Sequence, residues 1–191
     1  MRILHTSDWH VGRRLGRHDR TAEFHEVLDE VIGVADAQAV DLVLVSGDVF
    51  DRAMPPVDAL TTGLEALIRL AARRPVIAVA GNHDSPELFE ALAPLLRSQG
   101  RGVHLVGTVK RPDEGGLLGP DVLGVDAVVA CFPFLREGRV IDFMREAGSW
   151  YGAYAERVAG ITEAYNRALV ERAGDDLVPI LMAHFMVGGV K

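Results

Sequence analysis

The chain has 191 residues, 49% hydrophobic and 25% charged, with 27 acidic against 20 basic side chains and a net charge of −7. One domain of this length buries roughly 70% of its unfolded surface and needs no staple, and its acidity argues against adhesion to nucleic acid by bulk positive charge. The single cysteine, Cys131, excludes an internal disulfide and fits a reducing, cytoplasmic compartment, and no run approaches the ~20 apolar residues of a membrane span.

Residues 2–6 read as a short apolar strand with no secretory h-region before it. A helix is predicted over 20–39, with Phe24, Val27, Leu28, Val31 and Ile32 at helical spacing. Residues 42–46 (LVLVS) are a continuous apolar run of buried-strand length. Pro55-Pro56 introduces a helix over 57–72, striped by Leu60, Leu64, Leu67, Ile68 and Ala71. Residues 76–80 (VIAVA) are a further buried strand, and Ser85 as N-cap with Pro86 at the first helical position opens a helix to about residue 97. A strand over 103–106 follows the Gly100/Gly102 break, and the glycine-rich stretch 107–121 reads as an exposed loop. Residues 122–125 and 127–131 form a hairpin or two successive strands, a long helix is predicted over 150–173, and 177–183 (LVPILMA) is a last buried strand. The βαβαβα opening predicts a largely parallel sheet with helical crossovers, and the strand-rich middle a second, more mixed one.

Polar residues gather just past these strands. Asp8-Trp9-His10 follows the first, Gly47-Asp48-Val49-Phe50-Asp51-Arg52 the second, Gly81-Asn82-His83-Asp84 the third and His184 the last. Ligands collect at the C-terminal strand ends of an α/β sheet, so four segments deliver carboxylate, imidazole and amide groups to one rim. Such donors without thiolate suit Mn²⁺, Mg²⁺, Fe²⁺ or Zn²⁺. Two cations ~3.5–4 Å apart need a bridging carboxylate and separate outer ligands. Asp48, fixed by a tight glycine turn, is the natural bridge. Asp8 and His10 take one cation if the chain turns at Trp9, and Asn82 and His184 take the other. Singly, Asp8 and Asp48 read as turn caps, Asn82 as a left-handed turn residue and His184 as a core histidine; their convergence favours ligands.

In this order, Asp-x-His, Gly-Asp-x-x-Asp-Arg and Gly-Asn-His-Asp resemble the calcineurin-like metallophosphoesterase superfamily. Within it, HTSDWHVGR, SGDVFDRAMPP, GNHDSPE and MAHFMVGG are similar to the SbcD family of bacterial nuclease subunits. The resemblance implies an α/β fold, a four-layer α/β/β/α sandwich with two mixed sheets. It implies a Mn²⁺-dependent DNA nuclease of repair and recombination, a 3′–5′ exonuclease on duplex ends and an endonuclease on hairpins and single strands. Two divalent cations (Mn²⁺, or else Mg²⁺), DNA, an SbcC ATPase partner and a homodimer of the full-length protein come with it; the apolar stripes at 57–72 and 86–97 resemble the family's dimer-forming helices or else pack within the domain. No membrane is involved. His83 is implied as a non-ligand beside the scissile phosphate, and Asp51 as the acid that orients it. The family has a further Gly-His-x-His segment, one histidine per cation, and none occurs in these 191 residues. The chain is therefore read as a phosphoesterase domain over 1–191 incomplete at its C-terminus, without the capping and SbcC-binding regions, each cation short of one ligand.

Other positions keep two readings. Arg52 contacts phosphate or pairs with Asp51, and Asp84 supports the His83 loop or caps the helix at Pro86. Arg13, Arg14, Arg17 and Arg20 touch the DNA backbone or line a solvated loop. His5 reads as a strand residue, and His18, His25 and His104 as solvated. Two other functions stay open: a phosphodiesterase or phosphatase of small nucleotides or phosphoproteins, which shares the core motifs, and a metal-poor scaffold that binds DNA ends or a partner, which the lack of the last two histidines allows. The flanking SbcD-like segments favour the nuclease.

Overall fold

Short runs of valine, leucine and isoleucine with no polar face are strands buried on both sides. The computed structural model, which describes residues 1–135 and 154–185, buries Leu42–Ser46, Val76–Val79, Val103–Val106 and Ala127–Phe132 throughout, whereas the first and last runs, Ile3–Thr6 and Val178–Ala183, are partly exposed rather than buried, because each is an outer strand among the described ones of its sheet. The strands β1 (Ile3–Thr6), β2 (Leu42–Ser46), β3 (Val76–Val79) and β4 (Val103–Val106) form one sheet in the order β1-β2-β3-β4. All three pairings are parallel, with Leu4 opposite Val43, Leu44 opposite Ile77 and Ala78 opposite Leu105. The crossovers are α1 (Thr21–Ala37), α2 (Val57–Ala71) and α3 (Pro86–Leu96). The Ser85 hydroxyl accepts from the Leu88 amide at 3.2 Å and Pro86 occupies the first turn, so α3 starts where its capping residues dictate.

The second sheet is β5 (Leu117–Leu118), β6 (Ala127–Phe132) and β7 (Val178–Ala183). β5 pairs antiparallel with β6, and β6 pairs parallel with β7. The α/β sandwich is thus present, but among the described strands only this sheet is mixed, because each helical crossover in the first half forces a parallel return. Alternation along the buried strands builds three cores. Val43 and Val45 of β2 meet Leu28, Leu67 and Phe89 of the three helices. Leu42 and Leu44 turn the other way, toward Val129, Cys131 and Met182 of the second sheet. The far face of that sheet, Val128, Ala130 and Phe132, packs on Ile161, Tyr165 and Leu169 of a long helix over Tyr154–Ala173. These are the four layers α/β/β/α.

Four local expectations change. The run 122–125 is not a strand: a single helical turn, α4 (Pro120–Leu123), is set by Pro120 at its start and a left-handed Gly124 at its end. The long helix that follows it is α5 (Tyr154–Ala173). The loop 107–121 contains a 3₁₀ turn at Pro112–Glu114 as well as β5. Val27 is 56% exposed, outside the buried face of Leu28, Ile32 and Ala35. His104 is 7% exposed rather than solvated, and burial, with Arg97 nearby, lowers its pKa. The predicted start of α5 at residue 150 lies outside the described residues.

Cys131 sits at the centre of the inter-sheet core with no exposed surface. Burial pushes its thiol up to about 12, so the nucleophilic thiolate is scarce as well as shielded. Ellman's reagent is expected to find no thiol in the native protein and one equivalent in denaturant. Rapid native labelling would contradict this packing.

Candidate metal centre

The parallel register aligns the C-terminal ends of the strands, Ser46 opposite Val79 and Val79 opposite Val106. The loops leaving β1 and β2 then zip together. The Asp8 amide donates to the Gly47 carbonyl at 3.0 Å, His10 to Asp48 at 2.9 Å, Val11 to Val49 at 3.0 Å, and Asp51 back to Val11 at 3.2 Å. Asp8, His10 and Asp48 all hold left-handed backbone, at φ 56°, 48° and 52°. Each such residue costs roughly 1–2 kcal/mol, and strain of this kind concentrates where function requires it. The turn between Asp8 and His10 is pinned by the Trp9 indole N–H, which donates to the Thr6 hydroxyl at 2.9 Å.

Asp48 is the centre of the arrangement and only 3% exposed. Its Oδ1 accepts from the His83 amide at 2.9 Å. Its Oδ2 lies 3.7 Å from His10 Nε2 and 3.6 Å from His184 Nε2. These distances are too long for hydrogen bonds, yet the three atoms face one another. His184 is held by its other nitrogen: Nδ1–H donates to the Ser46 carbonyl at 2.7 Å, which directs Nε2 to Asp48 and to Asn82 Oδ1 at 3.1 Å. The glycines are required by this closeness. A Cβ on Gly47, at φ +87°, would stand 2.2 Å from His184 Nδ1, and one on Gly81 2.1 Å from Asp48 Oδ1.

The second sheet reaches this rim through its own strand ends. The His184 amide donates to the Phe132 carbonyl at 3.2 Å, and the Phe134 amide to the Ala80 carbonyl at 2.8 Å. Four strand ends from two sheets therefore converge. Their donor atoms fall into two groups, Asp8, Asp48 and His184, and His10, Asp48 and His83, each with atoms within 4.8 Å of one another. Asp48 belongs to both. Asp8 Oδ1 is also 3.8 Å from His10 Nε2, so the carboxylates and rings enclose one continuous space. Carboxylate oxygens and imidazole nitrogens that face each other without hydrogen bonding fit a hard or borderline divalent cation.

The sequence-derived residues Asp8, His10, Asp48, Asn82 and His184 all lie on this rim, and His83 stands within ligand reach beside His10, ring centroids 4.7 Å apart and nearly perpendicular. Asp51 meets His83 through its backbone: His83 Nδ1–H donates to the Asp51 carbonyl at 2.8 Å. The Asp51 carboxylate faces His10 instead, Oδ1 at 3.8 Å from Nδ1. Arg52 is exposed and 4.0 Å from Asp51 Oδ2. Arg13 lines a groove of about 530 Å³ running from Asp8 and His10 to Arg20 and Phe24, whereas Arg14 bonds the Arg17 carbonyl at 3.2 Å away from it.

Asp84 does more than support one loop. Fully buried, it accepts from the amides of Val49 at 3.2 Å, Phe50 at 2.9 Å and Gly81 at 2.9 Å, tying the Asp48 loop to the Asn82–His83 loop. Burial raises its pKa against the pull of these three bonds, and the Asp48 charge adds to the rise. Ser85, not Asp84, caps α3.

This chain matches the Calcineurin-like phosphoesterase family over residues 1–179. It belongs to that family. Among calcineurin-like phosphoesterases it is 40% identical to the SbcD subunit of the SbcCD nuclease of Bacillus subtilis (strain 168), over 99% of this chain and 48% of that protein. It is 32% identical to the SbcD subunit of the SbcCD nuclease of Rhodobacter capsulatus, over 99% of this chain and 49% of that protein. A DNA double-strand break repair protein Mre11 of Sulfurisphaera tokodaii is 38% identical over 48% of this chain and 24% of its own length. The chain spans about half the length of the SbcD relatives it matches. No described helix is long and apolar enough to cross a membrane.

Proposed function

We propose that this chain is the phosphodiester-cleaving domain of a Mn²⁺-dependent DNA nuclease, one that works with an SbcC ATPase on DNA ends and hairpins in repair and recombination. One observation carries the hydrolytic part: a single oxygen, Asp48 Oδ2, faces the Nε2 atoms of His10 and His184 from 3.7 and 3.6 Å. That is the geometry a bridging ligand needs. Identity of 32–40% to SbcD proteins over nearly the whole chain supports DNA as the substrate and SbcC as the partner. The break-repair name of the Mre11 relative points the same way.

In this reading Asp8, His10, Asn82 and His184 are outer ligands around the shared Asp48. When bound, two divalent cations, Mn²⁺ or Mg²⁺, supply positive charge against the phosphate and acidify the attacking water. His83, its Nδ1–H committed to the Asp51 carbonyl, presents Nε2 to the substrate. Protonated there, it gives its proton to the departing 3′ oxygen as the phosphorus–oxygen bond breaks. In the same reading Arg13, which lines the groove beside Asp8 and His10, and the exposed Arg52 meet flanking phosphates. Met54, Val57 and Leu95, exposed at or near α2 and α3, support a homodimer through these helices, and an unpaired Cys131 suits the cytoplasm.

The test is hydrolysis by the full-length protein with Mn²⁺ of linear duplex DNA and of bis-p-nitrophenyl phosphate, side by side. Cleavage of the small ester with no cleavage of DNA would favour a small-nucleotide phosphodiesterase instead. His83→Gln sharpens it. DNA cleavage is expected to fall on the order of 10²–10⁴-fold, and hydrolysis of the nitrophenyl ester far less, since nitrophenolate leaves without a proton. Equal losses on both substrates would assign His83 some other role.

A further inference from the structure

We infer that the carboxylate of Asp51 is the outer anchor of His10, so that Asp51 positions two histidines: His83 through its main-chain carbonyl and His10 through its side chain. The inference rests on reading the rim as a metal centre. His10 is the one ring there whose outer nitrogen has no hydrogen bond. His184 fixes its Nδ1 on the Ser46 carbonyl and His83 fixes its Nδ1 on the Asp51 carbonyl. His10 Nδ1 is buried and without a hydrogen-bond partner.

The chemistry of imidazole decides what Nδ1 must do. A neutral ring has one N–H and one lone pair. His10 Nε2 faces Asp48 Oδ2 at 3.7 Å and Asp8 Oδ1 at 3.8 Å, which is where a cation would take its lone pair. The proton then belongs on Nδ1, where a buried donor needs an acceptor. The carboxylate facing that nitrogen is Asp51, with Oδ1 at 3.8 Å. Closing this gap to a hydrogen bond takes roughly 0.9 Å, a side-chain adjustment rather than a backbone one. The backbone already holds the pair in register: the Asp51 amide donates to the Val11 carbonyl at 3.2 Å, and Val11 and Phe50 form a parallel bridge. The Asp51 carboxylate is also free of His83, whose Nδ1 is satisfied by the carbonyl. A carboxylate on the far nitrogen of a ligating histidine fixes its tautomer and raises its basicity.

The experiment uses the full-length protein with Asp51→Ala and Asp51→Asn, read by Mn²⁺ calorimetry and by nitrogen chemical shifts of labelled histidine in the metal-free state. Asp51→Ala is expected to weaken one of two Mn²⁺ sites by roughly 10–100-fold and to move His10 away from the Nδ1–H tautomer. Asp51→Asn, whose amide oxygen still accepts, is expected to keep the tautomer and most of the affinity. Asp51→Ala with unchanged Mn²⁺ affinity and an unchanged His10 tautomer, but slower DNA cleavage, would confine Asp51 to His83 and overturn the inference. Failure of the wild type to bind any Mn²⁺ would overturn the metal-centre reading itself, and the inference with it.

Discussion

Asp48→Asn is expected to empty both cation groups while leaving the fold intact. The substitution keeps the shape of a side chain only 3% exposed, and its amide oxygen can still accept from the His83 amide, as Oδ1 does at 2.9 Å. What it removes is the anionic oxygen that faces His10 Nε2 at 3.7 Å and His184 Nε2 at 3.6 Å. An amide N–H₂ turned toward those nitrogens offers no ligand and no charge. Because both groups share this oxygen, loss of Mn²⁺ binding should be concerted, in contrast to the one-sided loss expected for Asp51→Ala. Phosphodiester hydrolysis should fall on the order of a thousandfold or more, about 4 kcal/mol of transition-state stabilisation. The thermal midpoint without metal should stay near that of the wild type. Calorimetry with Mn²⁺ and a rate assay on bis-p-nitrophenyl phosphate measure both quantities. Retention of one tight site would mean that Asp48 does not bridge.

Much of this site is legible in the sequence because its elements are local. Each ligand segment directly follows an apolar strand, and parallel crossovers bring such strand ends together. Strand order and residue type alone therefore place Asp8, His10, Asp48, Asn82 and His184 on one rim. What is not legible depends on contacts between segments. The left-handed backbone at Asp8, His10 and Asp48 arises from the ladder linking residues 8–11 to 47–51, which no single segment encodes. The division of Asp51 between two histidines requires knowing that its carbonyl and carboxylate point to different rings. In the fold, β5 is two residues long and exists only by pairing with β6, so periodicity has nothing to detect. The run 122–125 misleads for a local reason: two valines suggest a strand, while Pro120 and Gly124 set a helical turn. His104 shows the same limit, since its strand pairs with β3, Ile77 opposite His104, and is buried throughout.

Asp84→Ala is expected to destabilise the whole domain, through groups that never touch substrate. Asp84 lies inside the protein with no exposed surface, and its two oxygens take the amides of Val49, Phe50 and Gly81. Alanine leaves three amides without an acceptor. Each such loss costs about 1–3 kcal/mol, and water entering the vacated space recovers part of it. A net loss of about 3–5 kcal/mol is large against the total stability of an ordinary domain, about 5–15 kcal/mol. It should lower the thermal midpoint by on the order of 10 °C. Asp84→Asn separates charge from hydrogen bonding. Burial and the neighbouring Asp48 oppose the ionised carboxylate, so removing the charge relieves one penalty. The new N–H₂ group, however, faces amides that also donate, so the midpoint should fall between those of wild type and Asp84→Ala. The loss should extend to the metal centre, because the bonds to Val49 and Phe50 hold the segment from Asp48 to Asp51, while the bond to Gly81 holds the segment carrying Asn82 and His83. Differential scanning calorimetry and Mn²⁺ titration of the two variants test this coupling. An Asp84→Ala protein that melts within about 2 °C of the wild type, a shift worth under about 1 kcal/mol, would show that the loops do not depend on this carboxylate.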